Sequence, residues 1–159
     1  MSESARILVI DDEESIRRTI SMTLEHAGYL VDTAENGKQA IEKTEANFYN
    51  LVIIDIRLPD MEGTELLTAL KETTPRMVKI VLTGYPALQN AVTAINKGVD
   101  YYLIKPVDTN ELLRVIKEHL DKQNDEREYS QQKIAQFVET RFKELETEKL
   151  DTSKMTEKE

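Results

Sequence analysis

Asp11 and Asp12 close the apolar run Ile7-Leu8-Val9-Ile10, and Asp55 closes the run Leu51-Val52-Ile53-Ile54. Thr83 follows Val78-Lys79-Ile80-Val81-Leu82, and Lys105 follows Tyr101-Tyr102-Leu103-Ile104. Three carboxylates, a hydroxyl and an ammonium thus recur at the downstream ends of strand-like segments. If those segments are parallel strands of one sheet, every one of these groups emerges on a single edge. That edge is where open α/β sheets bind ligands. Hard carboxylate oxygens suit a divalent cation such as Mg2+, which takes few carboxylates together with phosphate oxygens. Asp55 is the candidate nucleophile, since a carboxylate oxygen can attack phosphorus and form an acyl phosphate. Lys105 offers a point charge and Thr83 a hydroxyl, both suited to phosphoryl oxygens.

Each feature alone has a bland reading. An Asp-Asp pair is most often a turn or cap, Lys105 could be a surface lysine after a strand, and Thr83 before Gly84 could cap a turn. Their joint appearance at matching strand ends is what the bland readings fail to explain.

The strands needed to position them are predicted at 6–10, 29–33, 51–55, 77–82 and 101–104. Most are continuously apolar, as expected for strands covered on both faces by helices; 29–33 is more polar and reads as an edge. Helical stripes alternate with them. Ile16, Ile20, Leu24 and Ala27 run to Gly28, a C-cap residue; Ala40, Ile41, Thr44 and Phe48 follow Asn36-Gly37. Leu66, Leu67 and Leu70 follow Gly63 and stop before Pro75, and Leu88, Ala91, Val92 and Ile95 end before Gly98. Leu112, Leu113, Ile116 and Leu120 form the last stripe, with Asp108 as N-cap and Glu111 at the capping-box spacing. Alternating strands and helices imply an α/β, doubly wound parallel sheet with right-handed crossovers. The pattern does not give strand order; in the 2-1-3-4-5 order the first and third strands are neighbours, which places Asp11 and Asp12 beside Asp55.

The chain of 159 residues supports one ordinary domain and an addition, and its 40% hydrophobic content suffices for one core. A net charge of −9 argues against direct nucleic-acid binding, which needs clustered Lys and Arg. The chain contains no cysteine, so it has no disulfide or thiol chemistry. No apolar stretch approaches a membrane span, and no signal peptide precedes the first strand, so a cytoplasmic protein is expected. The expected organisation is a domain at 4–121 and a charged helical extension at 122–159, without glycine or proline. In the extension Ile134, Phe137, Val138, Phe142 and Leu145 form an amphipathic stretch, either solvated or a docking or dimerisation face, before a frayed end at 151–159. Arg141 and Glu148 fall on the seam set by Ile134, so the pattern does not support a long heptad coiled coil.

The combination Asp11-Asp12, Asp55 followed by Leu58-Pro59-Asp60-Met61-Glu62-Gly63, Thr83-Gly84 and Lys105-Pro106 resembles the receiver domain of two-component response regulators, over about 4–121. The resemblance implies a flavodoxin-like (βα)5 fold, order 2-1-3-4-5, and a phosphoacceptor rather than an enzyme. It implies that Asp55 accepts a phosphoryl group from a sensor histidine kinase or phosphotransfer protein. Mg2+ would be held by Asp12 and Asp55, by the Arg57 backbone carbonyl, and by Asp11 through water. Thr83 and Lys105 would contact the phosphoryl oxygens, Tyr102 matches the aromatic switch position, and Lys105-Pro106 matches the family's cis peptide. Arg57 and Tyr85 border the path of the hydrolytic water there; both are large here, which predicts slow self-dephosphorylation. Residues 86–121 would form the readout face and a candidate homodimer surface, in which Arg114, Lys117 and Glu118 could pair between subunits; the C-terminal helix is a second candidate.

An aspartyl-nucleophile phosphatase is a rival reading. Such enzymes carry an acid two residues after the nucleophile and a cap insertion, whereas Arg57 stands at that position and the chain leaves no room for a cap. A second rival is a receiver-like interaction module that is not phosphorylated. 

Overall fold

The computed structural model describes residues 4–84 and 98–157. Five strands form one parallel sheet: β1 (Arg6–Ile10), β2 (Leu30–Ala34), β3 (Leu51–Asp55), β4 (Val78–Thr83) and β5 (Tyr101–Ile104). Their spatial order is 2-1-3-4-5, which sets β1 directly against β3. The described helices are α1 (Glu14–His26), α2 (Gly37–Ala46), α3 (Gly63–Ala69) and α4 (Thr109–Glu157). The predicted stripe of Leu88, Ala91, Val92 and Ile95 lies outside the described residues.

The period-2 geometry of the strands divides one apolar sequence between two layers. Ile7 and Val9 of β1 and Leu51 and Ile53 of β3 face a core completed by Ile20 and Leu24 of α1 and by Leu112, Val115 and Ile116 of α4. The alternate residues Leu8, Ile10, Val52 and Ile54 face a second core with Ala40 of α2 and Leu66 and Leu67 of α3. Because both faces are covered, the central strands carry no polar alternation. The edge strand β2 is instead half-buried along most of its length. It begins at Leu30, one residue later than the pattern predicts, because Tyr29 is used in ending α1. There the Tyr29 N–H donates to the Leu24 carbonyl (3.1 Å) and the Gly28 N–H to the Glu25 carbonyl (3.0 Å). This double closure needs a left-handed residue, and Gly28 supplies it at φ +98°.

Other boundaries also differ from the pattern. Strand β4 runs to Thr83, so the hydroxyl residue belongs to the strand itself. Helix α3 stops at Ala69, and Leu70 turns to extended backbone (ψ 132°) while remaining buried. Asp108 caps α4 as predicted, accepting from the Asn110 and Glu111 N–H groups at 2.9 and 3.3 Å. The reciprocal half of a capping box does not form, because the Glu111 carboxylate accepts instead from the Tyr101 hydroxyl at 3.4 Å. The end of the chain, expected to fray from 151, is helical through Glu157. No described helix is long and apolar enough to cross a membrane.

The chain divides into two compact units, Met1–Gln123 and Asn124–Glu159. Gln123 closes the first. Its buried side chain donates to the Asn50 carbonyl at 2.9 Å and the Arg76 carbonyl at 2.8 Å, and accepts from the Asn50 amide at 3.2 Å. These bonds tie α4 to the loops entering β3 and β4, at the sheet edge opposite Asp55. Replacing Gln123 with Ala would remove all three of these hydrogen bonds together with the buried amide that makes them. Chemical denaturation should show a loss of about 1–3 kcal/mol with an unchanged m-value.

Candidate functional site

Parallel register brings the carboxyl ends of β1 and β3 side by side, with Ile10 opposite Ile54. Asp11 and Asp12 leave the end of β1 and Asp55 is the last residue of β3. One carboxylate oxygen from each of Asp11, Asp12 and Asp55 lies within 4.8 Å of the others. Their environments differ sharply: Asp11 and Asp55 are buried and Asp12 is exposed. Adjacent residues leaving a strand point in different directions, so the pair supplies one interior and one solvent-facing carboxylate.

Asp11 also does the turn work that its sequence allowed. One of its oxygens accepts from the Glu13 N–H (2.9 Å), leading into α1, whose first residue is Glu14. The other accepts from Lys105 Nζ at 2.9 Å. The same ammonium lies 3.5 Å from Asp55 Oδ2, so one cation from the end of β5 bridges carboxylates from two strands. Lys105 is set by its own backbone, whose N–H donates to the Thr83 carbonyl (2.7 Å), and the Lys105–Pro106 peptide is cis. Thr83 is wholly buried at the end of β4, one residue past Leu82, which is the register partner of Asp55. Tyr102 packs against the second core, and its buried hydroxyl has no hydrogen-bond partner among the described residues. Tyr85 lies outside the described residues, as does the 86–97 part of the predicted readout face. In the remainder of that face Arg114 pairs with Glu118 of its own helix at 3.1 Å.

The electrostatics follow from crowding charge at a buried edge. Burial, then the negative charge of Asp11, push the Asp55 carboxyl up to about 6, against the opposing pull of Lys105. Burial works against the Lys105 ammonium too, but the Asp11 hydrogen bond and the charges of Asp11 and Asp55 outweigh it and hold the group above its usual value. Both members of the Asp55–Lys105 pair are therefore raised. The sense is consistent because the closer contact of Lys105 is with Asp11, leaving Asp55 under-compensated. A dication fits this donor set: clustered hard oxygens carry more negative charge than the single ammonium cancels.

The loop after Asp55 holds a feature that the motif reading passed over. Asp60 accepts from the Gly37 and Lys38 N–H groups at 2.8 and 2.9 Å, capping α2 from a distant loop. The Leu58 N–H donates to the Met61 carbonyl at 3.3 Å, and Arg57 bridges Glu62. At the loop's other end, a Cβ on Gly63 would meet the Asp55 carbonyl oxygen at 2.7 Å and Ile56 Cα at 2.8 Å. The backbone at Arg57 is thus pinned from both sides, and its N–H donates to Asp55 Oδ1 at 3.3 Å. An acid placed just before a small-residue helix start was visible in the sequence, but its partner at Gly37 was not.

Beside Lys105 lies a groove of about 450 Å3 between α1 and the segment leading into α4, lined by Ile16, Thr19, Ile20, Thr23 and Pro106 among others.

Comparison with known proteins matches residues 7–117 to the response regulator receiver domain. A CheY-like receiver domain protein from Methanospirillum hungatei JF-1 is 44% identical, with a TM-score of 0.72, covering 78% of this chain and 99% of that one. A response regulator from Burkholderia pseudomallei, solved with a phosphorylated aspartic acid, a calcium ion and citrate, is 29% identical, with a TM-score of 0.65 over 77% of this chain and 72% of that one. The response regulator ArlR of Staphylococcus saprophyticus is 35% identical over 120 residues, 74% of this chain and 53% of that protein. The chain therefore spans about half the length of such curated relatives. With the sheet order, the acidic edge and this match across most of its length, the chain belongs to the receiver-domain family of two-component response regulators.

Proposed function

We propose that Asp55 accepts a phosphoryl group from the phosphohistidine of a sensor kinase or phosphotransfer protein, and that this switches partner binding. The observation that carries the reading is the convergence of Asp11, Asp12, Asp55 and Lys105 from three strand ends onto one point. The phosphorylated aspartate of the B. pseudomallei relative supports it. An Asp55 carboxylate oxygen attacks phosphorus, the O–P bond forms as the P–N bond breaks, and the departing imidazole nitrogen takes up a proton. Asp12 and Asp55 would hold Mg2+ through side chains, Arg57 through its carbonyl, and Asp11 through water. When bound, the ion supplies positive charge against the charge gathering on the phosphoryl oxygens.

Lys105, already at the Asp11–Asp55 junction, is placed to move onto a phosphoryl oxygen, and Thr83 supplies a hydroxyl from the neighbouring strand. The modification replaces one negative charge with about two, so both groups bind the modified state more strongly and shift a pre-existing equilibrium. Tyr102 is the proposed reporter. The extension at 122–159 lies beyond the matched residues and serves as a separate element following the receiver domain. A cytoplasmic location follows from a kinase donor.

Acetyl phosphate with Mg2+ should add one phosphoryl mass to the wild type and none to the Asp55→Asn variant, read by intact mass before and after hydroxylamine. An unmodified wild type would favour the interaction-module reading. Replacing Arg57 and Tyr85 together with Ala should shorten the acyl-phosphate lifetime severalfold, since smaller side chains open the path for water.

The raised Asp55 value also sets a stability profile. The folded, metal-free protein holds this proton more tightly than the unfolded chain does. The group's favourable contribution is complete below about pH 4 and is lost as pH rises through about 6. Asp55→Asn should therefore raise the metal-free Tm at pH 7.5 by roughly 2–8 °C and leave it unchanged near pH 3.5. Thermal melts in a chelator at both pH values check this.

A further inference from the structure

The second unit presents an apolar stripe to solvent. Ile134, Phe137, Val138, Phe142 and Leu145 are 63, 72, 57, 64 and 48% exposed. At 3.6 residues per turn, Ile134, Val138, Arg141 and Leu145 run down the centre of one face, with Phe137 and Phe142 on opposite shoulders. Contiguous exposed apolar surface of this kind marks an interaction site, and a helix in water owes most of its stability to packing of such a face.

The charges along the stripe select the occupant. We propose that this helix pairs, antiparallel, with the same helix of a second copy of the chain. In a parallel, in-register pair Arg141 would face Arg141 and Glu148 would face Glu148, placing like charges in two core layers. An antiparallel pair centred between Glu139 and Thr140 removes both conflicts. Ile134 then lies opposite Leu145 of the second copy, Val138 opposite Arg141, and Gln131 opposite Glu148. On one shoulder Ala135 packs beside Phe142 and Glu128 meets Lys149. Two-fold symmetry repeats every one of these contacts.

Arg141 is tolerable in that arrangement. Its guanidinium pairs with Glu144 of its own helix at 3.1 Å, which holds the charge at the rim while its stem covers Val138. The Glu128–Lys149 contact fixes direction: these residues stand 21 positions apart, about 32 Å along a helix, so they meet only when the two helices run oppositely. The pairing does not depend on chemistry at Asp55, so failure of either leaves the other standing.

The chain has no cysteine, which makes its orientation directly measurable. The 159-residue chain should sediment as a concentration-dependent dimer, and Ile134→Glu with Leu145→Glu should make it monomeric while circular dichroism stays helical. Separately prepared Ile134→Cys and Leu145→Cys chains, mixed and mildly oxidised, should form the mixed disulfide at least tenfold over either self-linked species. Glu128→Lys should weaken the dimer, and adding Lys149→Glu should restore it. A monomer at all concentrations up to 200 μM would overturn the proposal, as would predominant Ile134→Cys self-linkage or failure of the double charge reversal to restore pairing.

Discussion

The charge balance at one sheet edge constrains the rest of this domain. Three carboxylates meet there with one ammonium, and two of those carboxylates are buried. Buried charge is tolerated only when it is paired and hydrogen-bonded. Lys105 supplies that pairing to Asp11 at 2.9 Å and, more weakly, to Asp55 at 3.5 Å. The leftover negative charge is the useful quantity. Together with burial it raises the Asp55 carboxyl to about 6, and it leaves the edge with more negative charge than one ammonium cancels, a donor set that suits a dication.

Everything that holds this edge is ordinary sheet construction applied with care. Order 2-1-3-4-5 puts β1 and β3 in contact, parallel pairing aligns their ends, and the apolar residues of each strand fill cores on both faces. The irregular part, the loop from Arg57 to Glu62, is held by Asp60 on the N-terminus of α2 and by the close approach of Gly63 to the Asp55 carbonyl. A loop fixed at both ends presents its backbone without the entropy cost of ordering it on binding.

Much of this was legible in the chain. Nearly continuous apolar runs at 7–10 and 51–54 have few alternatives to doubly covered strands, and Gly28 marked the end of α1 correctly. What could not be read depends on contacts distant in sequence. Tyr29 joins the helix stop rather than the strand because its N–H is taken by Leu24. Glu111 abandons the capping box because Tyr101 offers a hydroxyl. Nothing in the spacing of Asp60 or Gln123 assigns them a partner, yet one caps a helix 22 or more residues away and the other joins α4 to the loops before β3 and β4. Local spacing reports periodicity and caps; it does not report which distant backbone groups lack partners.

The central claim is that the carboxylates of Asp11, Asp12 and Asp55 form a single cation site closed by Lys105. A Mg2+ titration followed by amide chemical shifts tests it residue by residue. The account predicts saturable binding, with the largest shifts at residues 11–12 and 55–57 and at Lys105, and loss of that response when Asp12 is replaced by Asn. Shifts that never saturate, or that centre on the acidic helix beyond residue 123, would contradict it.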